Sequence, residues 1–244
     1  MTNIFIDVLC KMLEAFVEIL FLPTKFMKVM IPKLSQHIKA LLLAASLALP
    51  SFNALAQKSD SSEQMIDLSE LTLEETLMLP DVPTKQADAV AEYMKKEAQA
   101  LHKMGYKVEL MRNGEVVIAT VPADHLFAPN SVALLPTASE QLRPFLTYFR
   151  THGRFKVILA MHSDNTGSPQ YLYDITERRI LALYEYFDAH AAQTDMLQGY
   201  PMADSEPVKG VDNSSHVNRR TNRRLEIFIV PGPMLIMDAK SKKL

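Results

Sequence analysis

A single cysteine, Cys10, is all that the 244 residues contain. Neither a disulfide framework nor a thiolate metal cluster can be built from it. Seven histidines (37, 102, 125, 152, 162, 190 and 216) are scattered without an HExxH pair or another ligand spacing, which excludes the common zinc motifs. Charge of one sign is also lacking. With 26 Lys and Arg against 28 Asp and Glu the net charge is −2, giving no reason to expect nucleic acid or an anionic membrane surface as main partner. The clear apolar run, Ala40 to Leu49, has ten residues and is too short for a stable transmembrane helix. No internal repeat and no set of β-barrel segments is found. What is there is a mildly acidic chain, 48% hydrophobic and 22% charged, able to bury one core.

The N-terminal part reads as an address. Lys28, Lys33 and Lys39 precede the apolar run, Pro50 breaks it, and Ala54-Leu55-Ala56 supplies a small-x-small cleavage pattern before Gln57. Residues 27–56 are therefore expected to be a secretory signal peptide. A buried helix would not explain lysines before the run and a cleavage pattern after it. Residues 1–26 carry Asp7, Lys11, Glu14 and Glu18 within their apolar stretch, a poor membrane span, and read as an extension or as a start assigned too far upstream. No transmembrane segment is expected in the mature chain.

Residues 57–83 are polar and acidic and end on Pro80 and Pro83, the pattern of a linker with local structure. Thr72 and Glu75 are spaced to cap a short helix there. A helix follows from Thr84 to Met104, with Ala87, Val90, Ala91, Met94, Ala98 and Leu101 in one stripe and Gly105 at its end. Two strand patterns, 106–112 and 115–121, flank Asn113-Gly114, the dipeptide that tolerates positive φ at both turn positions. A capping box at Thr137 and Glu140 opens a second helix, distorted near its start by Pro144. The apolar run 155–161 reads as a buried strand. An edge strand is expected near 199–203, a basic segment at 218–224, and a last strand at 225–230. The tail 232–244 is expected to be peripheral. Strands alternating with helices and closed by a strand predict an α/β (α+β) sandwich with a mixed sheet.

The stretch 161–179, MHSDNTGSPQYLYDITERR, concentrates the chemistry. It leaves the buried strand, turns through 164–169 and runs into a helix whose cap is expected at Asp174, with Glu177 at N3. An acid stands at the strand end (Asp164) and a base one turn into the helix (Arg179). Such a pair can grip a zwitterion, one group taking an ammonium and the other a carboxylate. Residue types alone favour a surface salt bridge worth ~0–1 kcal/mol.

Four segments together resemble the OmpA-like, peptidoglycan-binding C-terminal domain shared with Pal and MotB-type proteins. They are Phe127-Ala128-Pro129-Asn130-Ser131, His162-Ser163-Asp164-Asn165-Thr166-Gly167, Ile175-Thr176-Glu177-Arg178-Arg179 (the family's LSxxRA) and Asn222-Arg223-Arg224-Leu225-Glu226 (its NRRVE). The resemblance covers residues 115–231, and the helix and first hairpin strand at 84–114 resemble an arrangement in OmpA-family proteins of the Bacteroides type. It implies a βαβαβ fold that binds the diaminopimelate of the wall's stem peptide. Asp164 would take the ammonium and Arg179 the carboxylate. Thr166 and the amides of its turn would add hydrogen bonds, Asn130 would reach in from the earlier loop, and Arg223 would close the far side. With the four motifs in order, the ligand reading outweighs the salt bridge. Two departures stand out. Leu172 occupies the place of a family Asn, and the family's GxGxxxP becomes the segment 199–207.

His162-Ser163-Asp164 resembles a catalytic triad only on paper, because successive strand side chains point to opposite faces. The turn 164–167 lacks the further acidic ligands of a calcium loop. The sequence therefore predicts a non-enzymatic protein of a Gram-negative periplasm, without metal or cofactor, associated with the wall or outer membrane. Peptidoglycan is the expected partner, with envelope proteins beside it. The alternative is an envelope scaffold that keeps the fold and has lost affinity. For Arg223 the ligand role comes only through the family. For Arg224 a structural and a functional role stay equally open.

Overall fold

The computed structural model describes residues 71–244. The signal-peptide reading of 27–56, the extension 1–26 and the first part of the linker lie outside these residues. Helix α1 spans Leu73–Leu77, α2 Thr84–Lys103, β1 Lys107–Met111, β2 Val116–Pro122, α3 Ala138–Leu142, β3 Phe155–His162, α4 Pro169–His190, β4 Leu197–Ala203, α5 His216–Asn222, β5 Arg224–Pro231 and α6 Pro233–Lys240. The strands form one sheet in the order β1-β2-β5-β3-β4. All pairs are antiparallel except β3 with β4, the mixed sheet and α/β class that the alternation of patterns predicts.

Both faces of the sheet are covered, which is why β3 is buried along its whole length. Leu159, Met161, Ile227 and Val117 point to the main core, where Val90 and Met94 of α2, Phe145, and Leu183 and Phe187 of α4 meet them. Each such side chain contributes about 1.5–3 kcal/mol through removal from water. The alternate residues Ile158, Ala160, Phe228 and Val230 point to the other face, where Leu73 and Leu77 of α1 lie on them. Helix α1 carries the expected capping box: Glu75 N donates to Thr72 Oγ1 at 3.3 Å and Thr72 N to Glu75 Oε2 at 2.8 Å. Two cations hold its other end. Arg112 donates to Leu77 O and Pro80 O at 2.8 and 3.1 Å, and the buried Lys156 donates to Thr76 O and Leu79 O. Part of the expected linker is thus the lid of the second core.

Several local expectations change. The hairpin forms, but Met111 faces Val116, so four residues turn the chain, with Arg112, Asn113 and Gly114 all at positive φ. Thr137 makes no side-chain cap, and α3 stops at Leu142 before a 3₁₀ turn from Arg143 to Phe149, as Pro144 removes an amide from the ladder. Residues 216–222 form a helix ahead of β5. The tail is not peripheral: in α6, Leu235 and Ala239 are buried, and Asp238 pairs with Arg154.

Candidate functional site

The candidate site lies where β3 ends and α4 begins. Helix α4 starts five residues earlier than the expected cap. Ser168 is the N-cap, its hydroxyl accepting from Tyr171 N at 3.3 Å, with Pro169 at the first helical position. Asp174 therefore sits inside the helix and accepts from Gln170 Nε2 at 2.7 Å. Ser-Pro was the stronger signal, because proline's fixed φ suits that first position. Gly167 makes the turn at φ +143°, and a Cβ there would lie 2.7 Å from Tyr171 Cδ1 and 3.4 Å from Leu172 Cδ2.

Asp164 is 4% exposed. One carboxylate oxygen accepts from Thr166 N at 2.8 Å, closing the turn. The other is paired with Arg223 from the link between α5 and β5. Burial pushes this carboxyl up, but Arg223 and Thr166 outweigh burial and hold it below the usual carboxylate value. Asp164 is therefore a fixed anion. The Thr166 amide expected to meet a ligand is already spent on Asp164.

Arg179 is 5% exposed and does not pair with Asp164, so the salt-bridge alternative is not formed. Its guanidinium lies over the Phe127 ring at 4.8 Å from the centroid, and its Nε donates to Ser131 O at 2.9 Å. Among the described residues no carboxylate is paired with it. Burial lowers its pKa; the nearby Tyr171 opposes this and Arg223 adds to it. An arginine nevertheless stays charged. A buried cation without a paired carboxylate among the described residues, with only its Nε in a hydrogen bond, keeps donors that an anion can satisfy.

Asn130 precedes Ser131, whose carbonyl Arg179 holds, and sits at φ +57°, a region that Asn tolerates better than most residues. Its Oδ1 accepts from Tyr171 OH at 3.1 Å. The contacts fall into separate sets: Arg223 pairs with Asp164, which holds the Thr166 amide; Tyr171 holds Asn130; and Arg179 holds Ser131 and Phe127 and feels the charges of Tyr171 and Arg223. Tyr171 had a visible signal in the sequence, its place in the first turn after Gly167, but no motif named it. Leu172 is buried and offers no polar contact to the pocket.

The neighbouring candidates resolve as structural. His162 is wholly buried, 3.5 Å from Glu226 Oε2, and its ring nitrogens make no hydrogen bond; that separation is too long for one. Arg224 is buried and donates to Glu226 Oε1 at 2.7 Å and to Glu206 O and Asn222 O, contacts that brace the start of β5. Among the described residues no group of three or more His, Cys, Asp or Glu is placed to hold a metal, and no helix is long and apolar enough to cross a membrane.

No family model matches the sequence, and no curated protein is similar to it. Solved structures are. A MotB-like protein from Desulfovibrio vulgaris has TM-score 0.53 and 19% identity over 60% of this chain and 95% of that one. The cell wall anchor of the T6SS from Pseudomonas aeruginosa has TM-score 0.46 and 21% identity over 58% and 96%. The peptidoglycan-associated lipoprotein from Burkholderia pseudomallei has TM-score 0.39 and 14% identity over 45% and 88%. With a five-stranded mixed sheet and the Desulfovibrio vulgaris protein aligned over nearly its whole length, the described domain has the OmpA-like fold of the MotB-type proteins that its motifs resemble.

Proposed function

We propose that this protein holds peptidoglycan non-covalently, by gripping the diaminopimelate of the stem peptide, and so ties or organises the envelope of a Gram-negative cell from the periplasmic side. The observation that carries the reading is Arg179, a buried guanidinium with no carboxylate partner among the described residues, on the same strand–turn–helix stretch as the buried carboxylate of Asp164. Diaminopimelate ends in an amino-acid head group with both charges. Its carboxylate satisfies Arg179, a charge-assisted bond of about 1.5–3 kcal/mol, and its ammonium shares Asp164 with the half-exposed Arg223. Lysine has the ammonium alone and leaves Arg179 unpaired, which penalises it. No nucleophile with a base stands in this pocket, so the proposed role is binding and no bond is made or broken. The Bacteroides-type subfamily and a wall or outer-membrane location belong to the same proposal.

The second reading is an envelope scaffold with weak wall affinity. It rests on two observations: Arg223 already occupies one oxygen of Asp164, and Leu172 brings an apolar side chain where the family has an amide. Co-sedimentation with purified diaminopimelate-type sacculi separates the two. Wild type is expected in the pellet and Asp164→Ala and Arg179→Ala in the supernatant. Equal partition of all three sinks the head-group reading and leaves the scaffold.

A further inference from the structure

The pocket described above is made by two separate loops. The turn 164–167 carries the acid, and the segment 127–131 carries Asn130 and the carbonyl that Arg179 holds. Arg179 ties the second loop from below through Ser131 O at 2.9 Å. The side chain of Tyr171 touches both loops. Tyr171 lays its ring on Gly167, so closely that a Cβ there would be 2.7 Å from Cδ1, and sends its hydroxyl to Asn130 Oδ1 at 3.1 Å. Its own backbone is fixed by the Ser168 cap at 3.3 Å, so the ring stands on a rigid base. Tyr171 is 41% exposed, hence it stands at the surface of the site. Burial therefore does not explain its position; the hydrogen bond and the ring contact do.

An amide has one acceptor end and one donor end. With Oδ1 engaged by the hydroxyl, the Nδ2 end of Asn130 is left to donate, on the loop whose Ser131 carbonyl is held by the Arg179 guanidinium, a group that can only donate. Both ends offer donors only, the chemistry that suits a carboxylate. From this geometry we infer that Tyr171 is a positioning residue for the ligand's carboxylate: a strut between the two loops that sets the span from Asp164 to Asn130 and turns the Asn130 amide donor-end inward. This rests on the head-group reading above and adds to it a residue that no motif assigns. Tyr171 needs no contact with the ligand to do so.

The test is a double-mutant cycle in affinity for a diaminopimelate stem tripeptide, measured by calorimetry on the full chain, with thermal stability recorded for every variant. Tyr171→Phe keeps the ring on Gly167 and removes only the hydroxyl. It is expected to bind about 5- to 10-fold more weakly, the range for loss of one orienting hydrogen bond, with an unchanged melting temperature. Asn130→Ala is expected to lose about as much, and Tyr171→Phe/Asn130→Ala no more than Asn130→Ala alone, since the strut then has nothing to hold. Asn130→Asp keeps an acceptor for the hydroxyl but turns the ligand-facing donor into an acceptor, and is expected to bind worse than Asn130→Ala. Affinity of Tyr171→Phe equal to wild type, or losses that simply add in the double variant, overturns the inference while leaving the head-group reading intact. A wild type that does not bind the tripeptide at all overturns both. In the unliganded protein, the Asn130 side-chain amide resonances should sharpen into one mobile population in Tyr171→Phe; unchanged order there also overturns the strut.

Discussion

Replacing Lys156 with methionine tests the second core through its only buried ammonium among the described residues. Lys156 is 8% exposed and lies on the face of β3 that α1 covers. Burial, with Arg112 adding its charge, pushes the ammonium down to about 8 from an ordinary 10.5. The folded protein therefore releases this proton near pH 8, whereas the unfolded chain keeps it to about 10.5. Between those values the unfolded state binds more protons, so stability rises with pH. The depression corresponds to about 3 kcal/mol of cost at neutral pH. About 2 kcal/mol of it is recovered between pH 7 and pH 9.5. Above pH 10 the direction reverses, because Tyr106 and Tyr148 are also pushed up and Tyr184 is pushed up to about 12, so their unfolded counterparts ionise first. Urea denaturation from pH 7 to 9.5 reads the effect in the clean window. Wild type should gain about 2 kcal/mol and Lys156→Met should be flat. At pH 7 the variant should lie within about 2 kcal/mol of wild type, since it sheds a buried charge but takes the donor from the Leu79 carbonyl and leaves the Thr76 carbonyl with backbone donors alone. Parallel pH profiles for the two proteins refute the assignment of a costly charge to this face.

The remaining predictions concern the rest of the scaffold. Gly232→Ala should lose about 1–3 kcal/mol and melt lower, because a Cβ there meets Gly153 O at 2.2 Å and Arg154 C at 2.9 Å, both backbone atoms that cannot swing aside. Glu226 is pushed up by burial, but the His162 ring, at 3.5 Å within reach of its charge if not of a hydrogen bond, and Arg224 outweigh this and hold it at about 2 against an ordinary 4.5. The stability it brings is complete above pH 4.5 and lost as pH falls toward 2; Arg224→Met should show a shallower acid transition by circular dichroism.

Much of this arrangement was legible before any coordinates, and the reasons differ by element. Periodicity placed α2, because a stripe from Ala87 to Leu101 has only one way to face a core. Asn113-Gly114 placed the hairpin, since few residues tolerate the positive φ it needs. The lid formed by α1 was half legible: its capping box is local, but the cations that hold its far end come from Arg112 and Lys156, dozens of residues away. The α6 packing was hidden for a related reason, as a short apolar tail carries no period long enough to declare a face. In the site, residue types and motif order pointed to Asp164, Arg179, Asn130, Thr166 and Arg223. Which acid faces which base was beyond them. Asp164 turns to Arg223, and Arg179 turns to Phe127 and Ser131, through contacts across 48 and 59 positions in the chain. Such choices depend on how loops are folded over the sheet, and Tyr171 escaped notice for the same reason.

The head-group clamp is tested most directly by titrating the protein with two stem tripeptides, one ending in diaminopimelate and one in lysine. Binding of the first with Arg179-dependent affinity, at least about tenfold tighter than the second, is the expected result. Equal affinity for the two peptides, or binding that survives Arg179→Ala unchanged, contradicts the clamp.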